Sequence, residues 1–243
     1  MISVSIVSHG HGAMVLSLIE SLLRCPEVIQ IIITKNIPES LQIPRDPRIR
    51  VLDNPHPKGF GENHNAAFKL CQQPFFCPLN PDISLIDNPF ANLLKELQKS
   101  GAGIVAPLVI SPSGLVEDSV RRYPTITSLL CKVFGGDGGR YNLSLNDPAF
   151  SPDWFAGMCM LFRREAYESL EGFDTKFFLY YEDVDICMRA RKSGIGLMVC
   201  PSVAVIHDAR RDSHRNFRHL LWHLKSMARY FIKHWGRMPG EAC

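Results

Sequence analysis

Three acids, Glu182, Asp183 and Asp185, fall directly behind the aromatic run Phe177-Phe178-Leu179-Tyr180-Tyr181. Such a run buries readily and draws the acids behind it toward a low-dielectric environment. Carboxylates persist there only when a cation, a metal or a proton-transfer task keeps them. The same acids would also complement the positive end of a helix dipole, so composition alone leaves two readings open. A second acidic position, Asp82 in Asn80-Pro81-Asp82, closes the apolar run Phe75 to Leu79. On a Pro-stiffened turn it can offer oxygen to Mg²⁺ or Mn²⁺, which commonly takes one or two carboxylates besides substrate phosphates. An Asx-type turn that merely ends the strand is the alternative. His207 follows the apolar run Val203 to Ile206. A lone histidine in that setting is ordinarily structural, but a short helix-loop-strand excursion from Asp183 would return it to the same place. The pair Arg121-Arg122, before Tyr123-Pro124, suits a bidentate grip on phosphate or a solvated surface. Trp154 suits a stack on a sugar ring or a cap on the core.

The elements that must position these groups alternate. Ile2 to Ser8 reads as a strand and the pattern through Met14, Leu18, Leu22 and Leu23 as a helix. Val28 to Thr34 and Ile49 to Leu52 read as further strands. Strand-helix-strand alternation predicts a largely parallel sheet covered by helices. Ligands of open α/β sheets sit at the carboxyl ends of the strands, which places Ser8 and His9 at a site. The Gly- and Pro-rich stretch Asn54 to Asn65, containing Gly59, reads as a loop opening a helix near Ala66. Its free backbone N–H groups would suit an anionic ligand. Residues 90–99 predict a helix, Gly103 to Ile110 a strand, and Gly135 to Asp153 a mobile loop. Trp154 to Phe162 predicts a strand and Val184 to Ser193 a helix, followed by strands either side of Cys200-Pro201.

A chain of 243 residues, 46% hydrophobic, is long enough for a sizeable core. Its net charge of +3 is too small to argue for nucleic acid. Eight cysteines without a Cys-x-x-Cys pair argue against a disulfide framework or a zinc site and for reduced, partly buried thiols in the cytoplasm. No basic leader or membrane-length apolar run is read, so the chain is expected to be neither secreted nor integral to a membrane. From Ser213 to Gly240 there is no acid. Arg215, Arg218, Lys225, Arg229 and Lys233 alternate there with Phe217, Leu220, Leu221, Leu224, Met227, Phe231 and Trp235 at helical spacing. This predicts a basic amphipathic helix in a segment 211–243 appended to a domain spanning 1–210. It would lie on an anionic membrane surface or pack on the core with a solvated basic face.

Taken in order, Ser3 to Ser8, Gly59-Phe60-Gly61 through Asn65, Leu79 to Asp82 and Ser119 to Pro124 resemble a known family. Trp154 with Ala156-Gly157, Gly172-Phe173-Asp174, Phe177 to Asp185 and Pro201 through His207 extend the match. The chain resembles the family 2 inverting glycosyltransferases of GT-A fold over nearly its whole length. It is most similar to bacterial O-antigen rhamnosyltransferases, the segment Trp222 to Ser226 included. The resemblance implies a GT-A α/β fold, with Asp82 and His207 as ligands of Mg²⁺ or Mn²⁺ and Asp183 as the general base. It implies that Ser8, His9, Gly59, Asn65, Asn80, Arg121 and Arg122 serve the nucleotide donor, and Trp154, Gly157 and Glu182 the substrate. The implied reaction moves L-rhamnose from dTDP-rhamnose to a polyprenyl-diphosphate-linked glycan at the inner membrane face, without nucleic acid. Another nucleotide sugar, carrying galactofuranose or an N-acetylhexosamine, and a non-catalytic glycan-binding subunit are the alternatives. The second reflects a departure: many relatives end the second strand in an acid, where this chain has Thr34-Lys35-Asn36.

Overall fold

Apolar runs bounded by turn residues become the parallel half of one sheet. The computed structural model describes residues 1–125, 138–208 and 217–235. Strand β1 (Ile2–Ser8) leads to helix α1 (Ala13–Leu23), β2 (Val28–Lys35) and β3 (Ile49–Asp53). Helix α2 (Phe60–Phe68), β4 (Phe75–Leu79), β5 (Ile83–Leu85), α3 (Phe90–Ser100) and β6 (Ile104–Ile110) follow. Next come the short strands β7 (Val120–Arg121), β8 (Trp154–Phe155) and β9 (Leu161–Arg163), with α4 (Arg164–Ser169) attached to the last. Helix α5 (Glu182–Lys192), β10 (Leu197–His207) and α6 (Phe217–His234) complete the described elements.

Eight strands form one sheet in the order β3-β2-β1-β4-β9-β6-β10-β5, and β7 pairs with β8 separately. The pairs β3-β2, β2-β1, β1-β4 and β6-β10 are parallel. Strand β9 runs antiparallel to both β4 and β6. Two reversals cancel, so β6 and β10 point the same way as β1 to β4. Ser8, Leu79 and His207 therefore finish at one edge of the sheet, which is the edge the site occupies.

Helices cover both faces. On one, Val15, Leu18, Ile19 and Leu22 of α1 and Phe90, Leu93 and Leu97 of α3 join one core with residues of β1, β2, β4, β6 and β10, α3 lying against β6 and β10. On the other, Tyr167 of α4 and Ile186, Cys187 and Ala190 of α5 join Phe76, Phe162 and Phe173. Burying both faces explains why the central strands are nearly continuous apolar runs. The six described cysteines are all buried free thiols, as their sequence setting predicts.

Four boundaries differ from expectation. Helix α2 begins at Phe60 rather than near Ala66, because Gly61 lets it lie against Phe173, where a Cβ would come within 2.6 Å of the Phe173 Cβ. The run Trp154 to Phe162 is two short strands in different sheets, with Gly157 between them. The two strands expected around Cys200-Pro201 are one, β10, whose register shifts between Cys200 and Ala204. Of the expected mobile loop, residues 135–137 lie outside the described residues, as do residues 126–134 before it. Phe150 exchanges backbone hydrogen bonds of 3.2 and 2.9 Å with Val199, which ties the rest of that loop to β10.

Candidate active site

Asp183 stands in the first turn of α5, and the chain reaches it through an unusual turn. Tyr180 and Tyr181 both have left-handed φ, 69° and 65°, which costs free energy for bulky side chains and persists only when neighbours impose it. Helix α6 is that neighbour. The Ser226 hydroxyl donates to the Leu179 carbonyl at 2.8 Å. The Tyr180 hydroxyl bonds His219 Nδ1 at 2.9 Å, and the Tyr181 ring packs on His223 and Tyr230. On the other side Phe60 N–H donates to the Phe178 carbonyl at 2.9 Å, and a Cβ on Gly59 would come within 2.7 Å of that oxygen. Gly59 thus serves close packing of the turn.

The turn sends the two aspartates of α5 in opposite directions, as residues two apart on a helix must go. Asp183 Oδ2 accepts from the Gly157 N–H at 3.1 Å, and Oδ1 from the Val184 N–H at 2.8 Å. Burial pushes its carboxyl up, against the lowering effect of those two amides. Glu182 is pushed up well above the carboxylate range by burial and by the charge of Asp183, and its Oε2 is buried without a hydrogen bond. The Tyr181 phenol is held at about 12 by burial and the Asp183 charge, against the pull of Arg121. A buried carboxylate with a raised pKa is suited to take up a proton.

Asp185 faces α6 instead. It is fully buried and accepts from Arg189 Nε at 2.7 Å, Lys233 Nζ at 2.7 Å and His234 Nε2 at 2.9 Å. Lys233 also reaches Asp174 at 2.7 Å. Burial alone would raise Asp185, but the His234 hydrogen bond and the charges of Arg189 and Lys233 bring it to about 2. The three acids therefore face two ways, with Asp185 held in ion pairs to α5 and α6.

At the same sheet edge the turn after β4 meets the end of β10. His207 Nε2 lies 3.2 Å from Asp82 Oδ2, and His207 Nδ1 lies 2.8 Å from Glu117 Oε2. Burial works against the imidazolium, but the hydrogen bonds to Asp82 and Glu117 and their charges bring it to about 9. Asp82 Oδ1 is buried with no hydrogen-bond partner. An orphaned carboxylate oxygen is a donor a divalent cation would satisfy, and such a cation would take the place of the proton the imidazole shares with Asp82. Among the described residues no three His, Cys, Asp or Glu side chains form a metal-binding group. Glu117 was not singled out in the sequence, because its partner lies 90 residues away; only the acid before the arginine pair hinted at it.

The other expected residues are distributed as follows. Asn80 N–H bonds the Met158 carbonyl at 2.9 Å and sets the Asp82 turn against the Gly157 segment. Ser8 is buried, and His9 is exposed with its Nδ1 3.2 Å from Asn36 Nδ2. Arg121 is ion-paired with Asp118, which also holds Arg140 at 2.7 Å, and Arg122 lies 5.1 Å over the Tyr141 ring. Trp154 Nε1 donates to the Arg122 carbonyl at 2.9 Å. The Asn65 amide clamps the segment before the acids, accepting from Tyr167 at 2.7 Å and Phe173 N–H at 3.0 Å and donating to the Phe173 carbonyl at 2.8 Å. Where an acid was missing at the end of β2, Lys35 pairs with Asp53 of β3 at 2.6 Å. Asn36 is buried and binds Lys58 N–H and Asn54, so it pins the loop rather than projecting from it.

The family model described as "Glycosyltransferase like family 2" matches residues 2–223. The chain belongs to that family. This glycosyltransferase is 28% identical over 254 residues to the rhamnosyltransferase WbbL of Escherichia coli K12, covering 96% of this chain and 93% of WbbL. It is 32% identical over 157 residues to the N-acetylglucosaminyl-diphospho-decaprenol L-rhamnosyltransferase of Mycobacterium tuberculosis H37Rv, covering 60% of this chain and 51% of the relative. The chain thus spans nearly all of one curated relative and about half of the other. Among solved structures it superposes on GalNAc-T7, crystallised with UDP, GalNAc and Mn²⁺, with a TM-score of 0.72 and 14% identity. That match covers 98% of this chain and 48% of the other. The mannosyltransferase PcManGT of Pyrobaculum calidifontis, in complex with GDP-Man and Mn²⁺, gives a TM-score of 0.63 at 15% identity, covering 98% of this chain and 65% of its own. The glycosyltransferase therefore has the GT-A fold, with an antiparallel strand inside its mostly parallel sheet.

Proposed function

We propose that this glycosyltransferase moves L-rhamnose from dTDP-rhamnose to a lipid-linked glycan, inverting the anomeric centre. The observation that carries the reading is the pairing of two sites. A buried carboxylate, Asp183, is held against Gly157, and Gly157 is joined through Met158 and Asn80 to the Asp82–His207 pair. The rhamnosyltransferases this chain resembles, one of them acting on a decaprenol-linked acceptor, suggest the sugar and the class of acceptor.

In this mechanism Asp183 takes the proton from an acceptor hydroxyl as that oxygen attacks the anomeric carbon. The bond from that carbon to the diphosphate oxygen breaks in the same step, and the nucleoside diphosphate leaves with the electron pair. No covalent sugar–enzyme bond forms. Gly157 N–H and Val184 N–H hold the carboxylate in orientation, while burial keeps it basic enough to accept the proton. Asp82 and His207 would hold Mg²⁺ or Mn²⁺, which would offset charge gathering on the departing diphosphate. Ser8, His9, Asn80, Arg121 and Arg122 line the donor side in this reading, and Trp154, Gly157 and Glu182 the acceptor side. The reaction takes place at the inner face of the cell membrane, because a polyprenyl-diphosphate acceptor keeps its tail in lipid.

The test is sugar transfer to polyprenyl-diphosphate-GlcNAc from dTDP-rhamnose, against donors carrying galactofuranose or N-acetylhexosamine, with Mg²⁺ or Mn²⁺. Rhamnosylated product that disappears with EDTA is expected. Transfer of a different sugar, or transfer indifferent to EDTA, would overturn the donor or the metal part of the reading.

A further inference from the structure

Helix α6 is inside out for a helix on a soluble core. The residues it buries are Ser226, Tyr230 and His234, and its neighbouring Lys233 is paired with Asp174 and Asp185. The apolar side faces outward: Phe217 is 71% exposed, Ile232 79% and Trp235 69%, with Leu220, Leu221 and Leu224 also exposed. At about 100° per residue, Phe217, Leu221 and Leu224 share one side of α6, opposite Ser226 and Tyr230, and the exposed Trp235 follows directly after the helix. A core-packed helix would bury that side. Here the polar contacts with α5 already fix the helix, so the apolar stripe contributes nothing to the described fold and leaves a contiguous patch in water.

One flank of the stripe carries charge. Arg218, Lys225 and Arg229 lie within about 40° of one another, beside Leu221 and Ile232, and all three are exposed. No acid occurs anywhere from Ser213 to Gly240. An apolar stripe bordered by a single-sign basic row matches an anionic lipid surface, which takes hydrophobic side chains below its headgroups and cations among them. No described helix is long and apolar enough to cross a membrane, so the geometry is that of a helix lying in the interface.

We propose that the outer face of α6 docks this chain on an anionic membrane, with Phe217, Leu221, Leu224 and Trp235 entering the lipid. Because Ser226, Tyr230, Lys233 and His234 fix the opposite face to the Tyr180-Tyr181 turn and Asp185, docking sets the orientation of the Asp183 site relative to the bilayer. The surface stands on α6 alone and does not depend on which sugar is transferred.

The experiment is flotation of the full chain with vesicles of phosphatidylcholine alone and with a third phosphatidylglycerol, for the wild type and Leu221→Glu/Leu224→Glu. These leucines point away from α5, so thermal unfolding of the variant is expected to match the wild type and serves as the folding control. Binding to the anionic vesicles, weakened about tenfold or more by the double substitution and reduced by salt, is the expected result. Three results would each overturn the proposal: no flotation of the wild type, equal flotation of the variant, or self-association that the double substitution dissolves without any vesicle binding. The last would make a second copy of the chain the occupant of the stripe.

Discussion

Asp185→Asn isolates the charge that latches α6 to α5. Asparagine has the shape of the protonated acid, so the substitution removes the negative charge and little else. Asp185 is lowered from an ordinary 3.8 to about 2, where burial is outweighed by His234, Arg189 and Lys233. At about 1.4 kcal/mol per pH unit, that gap is on the order of 2–3 kcal/mol favouring the ionised form in the folded chain. A depressed carboxylate stabilises above its unfolded pKa, and the contribution fades as pH falls through its folded pKa. The variant should therefore be on the order of 2–3 kcal/mol less stable at pH 5 to 7, with the difference falling to about half near pH 3. Urea unfolding followed by circular dichroism measures it. With a slope of about 3 kcal/mol per molar urea, the midpoint should fall by roughly 0.8 M at pH 7. An unchanged midpoint at pH 7, or a difference that grows toward acid, would refute the latch.

Gly61→Ala should destabilise by about 1–3 kcal/mol, because its Cβ would be forced within 2.6 Å of the Phe173 Cβ in a packed core, and a thermal melt reads this directly. Glu117→Gln should weaken Mn²⁺ binding about 10- to 100-fold by loosening the imidazole that faces Asp82, measured by electron paramagnetic resonance on the protein without donor. Unaltered Mn²⁺ affinity would show that Glu117 does not orient His207.

Much of this fold was legible in the sequence because burial wrote it there. Strands β1, β2, β4 and β6 are covered on both faces and read as apolar runs. Strand β9 was not separable, since three residues inserted between β4 and β6 carry no periodicity of their own. The start of α2 was misplaced because Gly59 and Gly61 weaken helix propensity. Their reason is tertiary, the close approach of Phe178 and Phe173, which local pattern cannot express. In the site, Asp82, Asp183 and His207 stood out by type and setting, but the division of labour between Asp183 and Asp185 depends on what each faces across the fold. The contact between Glu117 and His207 likewise exists only once β6 and β10 are paired. For α6 the periodicity was plain, yet the sequence suggested that its apolar side meets either lipid or core. The side turned to the core is the one with Ser226, Tyr230 and His234, which leaves the apolar side outward.

Asp183→Asn tests the centre of the account. Release of nucleoside diphosphate should be measured for wild type and variant with dTDP-rhamnose, a polyprenyl-diphosphate-GlcNAc acceptor and Mn²⁺, across pH. The wild type should show acceptor-dependent release whose acid limb lies above the ordinary aspartate value of 3.8, because burial raises this carboxyl. The variant should lose about 10²- to 10⁴-fold in rate while still binding Mn²⁺ at Asp82 and His207. Release by the variant at the wild-type rate would contradict the assignment of Asp183 as the base.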